Sequence, residues 1–538
     1  MEQEPSARDQ VCSPGRAHDV AAVSDPLTRE GQDAPVAGPA VRDEAGPGLG
    51  GQVRSGVRWG AADQAFQQVV RISLNVVLTR LTAPSEFGLI ALAFLVTTIA
   101  SWVTDLGFGS ALVQRRTVTD LHVRTALTAT FVTGMVLGGV TCAVALPLAG
   151  YFDADRLALV LVVLSVNFPL KGLAGIPRDL LRRELLFKPS ALAAGVGVAV
   201  SAGVALVLAL LGAGVWALVA YSVVESVAAL LAYAWFARRQ LGHRVRPGFS
   251  GQAFRDLAGF GASVSASRLV YYAQGNVDNL IVGKVLGATA LGLYGLAYRI
   301  MLYPIQKAAD VIVQVAMPAF STLQGDQARL RQAFLRGQQA ICLVCFPASI
   351  GISVCAPLLV PVLVGDQWLP AVASVQILAL SGPRLALNRL NGSVFQACGR
   401  PQLELVLALV SLALLVPGFL VGAGHGIGGV ATAFTVIGWL LVPVTQVPVA
   451  RLIGSSPART LAGLWPIVLA TLLMAGTSEL ARQLVTGQVP DALALAAVVA
   501  VGALTYLAVL LVVDRPVLRV LFGAFGRGRP ADAVAPAG

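Results

Sequence analysis

The sequence predicts an all-α integral membrane protein with about fourteen transmembrane helices, arranged as two pseudo-repeated six-helix lobes around a central cavity, with two further helices C-terminal to them. Three observations carry this prediction. Hydrophobic residues make up 56% of the 538 residues and charged ones only 12%, where a soluble domain has about 25% charged. Apolar runs long enough to cross a bilayer, about 20 residues each, recur from residue 57 to residue 513. The connections between them alternate between basic and nearly uncharged, the pattern that the positive-inside rule produces.

Residues 1–54 are rich in Gly, Pro, Ala, Asp and Glu without apolar periodicity, the composition of a disordered tail. The opening MEQEPSARDQVCSPGRAHDV has neither the basic start nor the apolar core of a secretory signal, so the first helix is expected to act as its own uncleaved insertion signal. Spans are expected near 57–80, 86–113, 125–149, 157–177, 190–211, 214–237, 257–283, 288–317, 337–364, 369–397, 403–423, 426–450, 461–481 and 491–513. They group into an N-lobe over 55–240, a basic cytoplasmic linker over 241–255, a C-lobe over 256–450, the last two helices within 451–513, and a cytoplasmic tail over 514–538. Basic connections such as QRRTVTDLHVR, RDLLRRELLFK, RRQLGHRVRPGFSGQAFRD and RLIGSSPART fall after every second span, between uncharged or weakly acidic ones such as YFDAD, LGAG and GAGHGIG. Both termini are therefore expected to be cytoplasmic.

The net charge of +11 would point to nucleic acid in a soluble chain, but here the basic residues concentrate in short membrane-flanking loops, so no nucleic-acid partner is expected. Arginine greatly outnumbers lysine, which occurs only at Lys171, Lys188, Lys284 and Lys307, and with the abundant Ala, Gly and Val this is the composition of a GC-rich bacterial genome. Five of the six cysteines (Cys142, Cys342, Cys345, Cys355 and Cys398) lie in or beside apolar segments and read as small packing residues; Cys12 lies in the tail. The Cys342-x-x-Cys345 pair has no second pair or nearby His to complete a metal site, and no metal or cofactor is expected.

The first span carries a polar stripe. In WGAADQAFQQVVRISLNVVLTRL, Asp63, Gln64, Gln67, Gln68, Arg71 and Asn75 fall within roughly 140° of one another at 100° per residue. The stripe recurs in the seventh span, where Ser265, Arg268, Tyr272, Asn276 and Asn279 fall within about 80°. An internal repeat links the two. Residues 76–94, VVLTRLTAPSEFGLIALAF, align without gaps to 280–298, LIVGKVLGATALGLYGLAY, so that Gly88, Leu89, Leu92 and Ala93 match Gly292, Leu293, Leu296 and Ala297, and Asn75 matches Asn279. A charged residue at the bilayer centre costs from about 2.5 to over 10 kcal/mol if it faces lipid, so both stripes are expected to face a shared polar interior. All six asparagines (Asn75, Asn167, Asn276, Asn279, Asn388 and Asn391) lie in predicted spans, which fits the same interior.

Cations outnumber anions inside the spans: Arg71, Arg268, Arg299, Lys307, Arg384 and Arg389, with Lys171 nearby, against Asp63, Asp105, Asp278 and Asp310. Such a surplus suits an anionic ligand, because the guanidinium fork matches phosphate oxygens. Internal ion pairing and snorkelling fit the same residues. Candidate ligand contacts are Arg71, Asn75, Arg268, Tyr272, Asn276, Asn279, Arg299 and Arg384; Asp63, Asp105, Asp278 and Asp310 are candidates for ion coupling or for pairing with buried arginines.

The runs GFGSALVQRRTVTDLHVRTALTATFVTG, RDLLRRELLFKPSALA, GAGVWALVAYSVVES and DNLIVGKVLGATALGLYGLAYRI resemble the Wzx-type polysaccharide biosynthesis flippases of the multidrug/oligosaccharidyl-lipid/polysaccharide exporter superfamily, over roughly residues 55–480. The resemblance implies two six-helix bundles, alternating access, and transfer of an undecaprenyl-diphosphate-linked oligosaccharide to the outer leaflet of a bacterial cytoplasmic membrane, with polysaccharide polymerase and export machinery as further partners. No enzyme chemistry is implied. The long acidic N-terminal tail departs from the family's usual short one. A peptidoglycan-precursor flippase and a small-molecule or drug exporter of the same superfamily are the alternatives. A membrane polymerase or ligase fits less well, since such enzymes usually carry a large external loop and the external connections here are short.

Overall fold

The structure is a computed structural model that describes residues 49–105, 108–114, 118–241, 248–255, 275–323, 325–400 and 402–513. The predicted tails, apart from residues 49–54, lie outside the described residues, as do most of the seventh span and part of the basic linker. Among the described residues no strand is present, only one isolated bridge between Thr486 and Val489. The helices are α1 (Leu49–Leu81), α2 (Pro84–Asp105), α3 (Phe108–Gln114), α4 (Asp120–Tyr151), α5 (Arg156–Ser165), α6 (Asn167–Arg183), α7 (Phe187–Leu210), α8 (Val215–Leu241), α9 (residues 275–285), α10 (Gly287–Thr322) and α11 (Gln327–Val364). A 3-10 turn at Asp366–Ala371 leads to α12 (Val372–Ala379), α13 (Gly382–Asn388), α14 (Asn391–Ala397), α15 (Gln402–Ala423), α16 (Gly426–Leu440), α17 (Val442–Leu452), α18 (Pro457–Ala462), α19 (Trp465–Val485) and α20 (Asp491–Val513). The first helix thus begins at Leu49, ahead of residue 57, where its apolar run starts.

By length and composition, ten described spans are apolar enough to cross a membrane, or eleven if the bent pair Asp366–Ala379 and Gly382–Ala397 is one span. The predicted fourteen is therefore not reproduced as a count. The three other predicted spans have particular reasons: α1 carries the polar stripe, α19 holds Glu479 and Arg482, and 257–283 lies mostly outside the described residues.

The chain forms two compact units that divide at Gly292. In the first, α7 packs along both α1 and α8, and α6 along α4 and α8. Small residues permit the α4–α6 approach: a β-carbon on Gly134 would stand 2.7 Å from the Pro169 nitrogen, and one on Gly172 would stand 2.9 Å from the Thr130 carbonyl oxygen. In lipid there is little hydrophobic drive between helices, so close backbone contact of this kind supplies much of the association energy. Glu86, in the first turn of α2, accepts the Val215 N–H at the start of α8 (2.8 Å) and a bond from Arg156 of α5 (3.3 Å), which joins three helix ends.

The repeated segments meet each other in the same unit. A β-carbon on Gly88 would stand 1.6 Å from the Ala288 carbonyl oxygen, and one on Gly292 would stand 2.0 Å from that of Pro84. Since Pro84 and Ala288 occupy equivalent places in the repeat, as do Gly88 and Gly292, the contact is reciprocal. The first turns of α2 and α10 thus meet glycine to carbonyl in both directions, and only glycine fits at either position.

In the second unit, α11 packs against α19 and α20. The Tyr506 hydroxyl donates to the Leu343 carbonyl (2.7 Å), and Gly502 sits where a β-carbon would come within 2.4 Å of Ser478 Oγ. The span over 366–397 is broken and bent by 42°. A second interruption separates α13 from α14, and side chains satisfy the backbone there. Gln338 and Gln446 both donate to the Leu387 carbonyl (3.1 and 3.2 Å), while Asn388 Oδ1 accepts from Asn391, Thr445 and Gln446 at 3.1, 2.9 and 2.9 Å. Non-helical backbone survives at membrane depth only when it is buried in protein or wetted, and this cluster of amides supplies the burial.

Candidate functional site: a cation-rich cavity in the first unit

The polar stripe of α1 leads into a cavity of about 570 Å³ in the first unit. Asp63, Gln64, Gln67 and Arg71 line it, and they are the four stripe residues within about 100° of one another. Gln68 and Asn75, further round the helix, are not among its lining residues. Lys171, Arg178 and Arg182 enter from α6, and Glu225, Ser226 and Tyr233 from α8. Lys171, Gly175, Arg178 and Arg182 fall within about 60° on α6, so one face of that helix presents a cationic row with a glycine in its middle.

The cavity wall thus holds four cations and two carboxylates. Arg71 Nη2 donates to Glu225 Oε1 at 2.5 Å, with the side chains 43% and 27% exposed. Asp63 accepts from Gln67 Nε2 at 2.7 Å. Arg178 forms a two-pronged pair with its neighbour Asp179 (2.9 and 3.2 Å), which is buried beneath Gly109 of α3; a β-carbon on Gly109 would lie 1.8 Å from Asp179 Oδ2. Lys171 and Arg182 make no ion pair or hydrogen bond among the described residues. The cavity therefore carries a net positive charge in a polar recess walled by apolar helices. In such a low-dielectric setting an arriving anion is attracted more strongly than it would be in water.

The other predicted site residues lie elsewhere. Asn75 is exposed, and its amide donates to the Arg71 carbonyl (2.8 Å). Arg268 and Tyr272 lie outside the described residues, and so does the side chain of Asp105. On α9, Asn279 donates to Asn276 (3.3 Å), and buried Asp278 accepts the Asn279 N–H (2.8 Å). In the second unit Arg299 is exposed on α10, and Asp310 pairs with Arg389 at 2.5 Å. Arg384 is buried, donates to the Phe434 carbonyl (3.1 Å) and lies over the Phe434 ring at 4.3 Å. Of the predicted ligand or coupling residues whose side chains are described, the cavity gathers Asp63 and Arg71.

The residues that sequence reasoning missed are Glu225, Arg178 and Arg182. Glu225 is a lone carboxylate in the apolar run of α8, a signal that could have been read as a demand for a buried partner. Arg178 and Arg182 were assigned to a loop, although their spacing of seven and eleven from Lys171 places all three on one helical face.

Among solved structures the fold is similar to the lipid II flippase MurJ in an inward closed conformation, with a TM-score of 0.68, 12% identity, and coverage of 85% of this chain and 99% of that one. It is also similar to an inward-facing multidrug resistance MATE family transporter of the MOP superfamily, with a TM-score of 0.56, 15% identity, and coverage of 72% and 96%. At such identities the likeness bears on fold alone. Among curated proteins the chain is 27% identical to the teichuronic acid biosynthesis protein TuaB of Bacillus subtilis (strain 168), over 66% of this chain and 74% of the relative. It is 26% identical to the lipopolysaccharide biosynthesis protein WzxC of Escherichia coli (strain K12), over 76% and 84%, and 25% identical to the succinoglycan biosynthesis transport protein ExoT of Rhizobium meliloti (strain 1021), over 86% and 93%. A family profile described as "Polysaccharide biosynthesis protein" matches residues 77–373, more than half of the chain. With its repeated apolar helices and these relatives, the chain is a multi-pass membrane protein that belongs to the polysaccharide biosynthesis protein family, of the Wzx type.

Proposed function

We propose that this protein is a flippase that carries an undecaprenyl-diphosphate-linked oligosaccharide from the cytoplasmic to the outer leaflet of a bacterial cytoplasmic membrane, by alternating access, for the synthesis of a cell-surface polysaccharide. The observation that carries this reading is the cavity lined by Arg71, Lys171, Arg178 and Arg182, two of which make no direct ion pair among the described residues. A diphosphate brings at least two negative charges and a set of oxygens that guanidinium and ammonium groups recognise. Hydroxyl and amide groups of Ser226, Gln64 and Gln67 on the same wall suit sugar hydroxyls. The prenyl chain would remain in lipid, and no covalent step is needed. Both termini would be cytoplasmic, and polymerase and export components would take up the delivered glycan. A drug exporter that takes cations would have to overcome the repulsion of this wall.

The test is transfer of a fluorescent undecaprenyl-diphosphate oligosaccharide in proteoliposomes, comparing the parent with Arg71→Ala and Lys171→Gln. Transport by the parent, reduced at least tenfold in folded variants, is the expected result. No transfer by the folded parent of any prenyl-diphosphate glycan offered, including a peptidoglycan precursor, would overturn the reading.

A further inference from the structure

Glu225 is out of place in its own helix. It sits in the apolar run of α8, where an unpaired carboxylate would carry a cost of several kcal/mol, and it sits in the wall of a cavity whose charge suits an anion. Its carboxylate takes up the one cavity-lining cation of α1, through a single recorded contact from Arg71 Nη2. The pair is only half-buried, so it borders the recess into which an anion would come. The Lys171 ammonium of α6 and the Tyr221 hydroxyl of α8 lie in the field of this pair, and Arg178, Arg182, Asp63 and Tyr233 line the same cavity; Lys171 and Arg182 make no direct ion pair among the described residues.

We propose that Glu225 is a built-in stand-in for the ligand's anion and that it acts as a charge filter. This rests on the reading that the cavity receives a diphosphate headgroup. In the empty cavity the carboxylate neutralises Arg71 and keeps α1 and α8 together. An anion that reaches Arg71 has to displace Glu225 or bear its repulsion, since like charges a few ångströms apart in a medium of reduced dielectric repel by up to a few kcal/mol. A diphosphate, which also engages the neighbouring Lys171, carries enough charge to make the exchange. A singly charged headgroup such as that of an ordinary bilayer phospholipid does not. The carboxylate thereby lowers affinity for every anion, but lowers it least for the multiply charged one. The excluded ligands are the anionic lipids that greatly outnumber any glycan carrier in a membrane. The exchange is of ion pairs only, with no bond made or broken. Release follows the same path in reverse, because the displaced carboxylate competes for Arg71 and keeps the ligand from being trapped.

The experiment measures binding of inorganic pyrophosphate and of methyl phosphate to the full-length protein in phosphatidylcholine nanodiscs. The parent is compared with Glu225→Gln, Arg71→Gln and the double variant, each checked for monodispersity and melting temperature. The expected result is that Glu225→Gln binds pyrophosphate about tenfold more tightly, binds methyl phosphate with a larger proportional gain, and shows neither gain in the Arg71→Gln background. A group that only held the helices together would give weaker binding when replaced. Unchanged or weakened binding in folded Glu225→Gln, or a gain that persists without Arg71, overturns the proposal and leaves the flippase reading standing. Absence of pyrophosphate binding in both the parent and Glu225→Gln overturns the proposal together with the anionic role of the cavity, a result that the proteoliposome assay registers separately.

Discussion

Arg71 and Arg384 are both arginines inside apolar segments, and their surroundings differ in a way that predicts different behaviour. Arg71 borders an open recess and has one carboxylate partner. Arg384 is enclosed: its guanidinium lies on the Phe434 ring, donates to the Phe434 carbonyl, and presses on Gly438, where a β-carbon would fall 2.1 Å from its Cζ. Among the described residues it has no carboxylate partner, and its charge is held by a ring face and a peptide dipole. Arg384→Met is accordingly expected to lower stability by about 1–3 kcal/mol through loss of the charge-assisted bond and the cation–π contact, read as a drop of several degrees in the melting temperature in detergent. An unchanged melting temperature would show that the enclosed guanidinium contributes nothing to stability. Lys171 is the opposite case. With no direct ion pair or hydrogen bond to lose, its replacement by Gln is expected to leave the melting temperature nearly unchanged while transport falls.

At the scale of elements, the reciprocal crossing of α2 and α10 is the contact most sensitive to a small change. Gly88 meets the Ala288 carbonyl and Gly292 meets that of Pro84, in each case nearer than any β-carbon can approach. Backbone cannot give way as the tip of a long side chain can, so Gly88→Val has to separate the two helix starts. Overpacking of this kind costs typically about 1–3 kcal/mol and sometimes more. The variant is expected to melt at lower temperature, and Gly292→Val to match it, since the two positions are equivalent in the repeat and make reciprocal contacts. A large loss for one and none for the other would show that the two sides of the crossing are not equivalent. The break between α13 and α14 is held differently, by amide side chains that take over the bonds a continuous helix would make to itself. Gln338 and Gln446 do so at the Leu387 carbonyl, and Asn388 ties the cluster together by accepting from the Asn391, Thr445 and Gln446 side chains.

At the scale of the whole molecule, the alternation of basic and neutral connections sets the direction of insertion. The expected topology places the end of α20 and the Arg182–Lys188 connection in the cytoplasm, and the Gly212–Gly214 turn between α7 and α8 on the outer side. A green fluorescent protein fused after Val513 should fluoresce, and alkaline phosphatase fused at Gly212 should be active. The reverse pattern would invert the orientation and, with it, the proposed direction of transport. Membrane class, most span positions, the polar stripe of α1 and the repeat at residues 76–94 were all legible in the chain, because each is a local or periodic property: hydropathy over about twenty residues, or spacing at 100° per residue. The stripe also told which way α1 would turn its polar groups. It did not tell what they would meet. That Arg71 pairs with Glu225, 154 positions away, that Arg384 rests on Phe434, and that two repeated glycines meet each other's helix starts were decided by tertiary packing alone. Periodicity constrains the face of a helix, whereas the partner of that face depends on which helices pack together and at what register, and no local pattern encodes that.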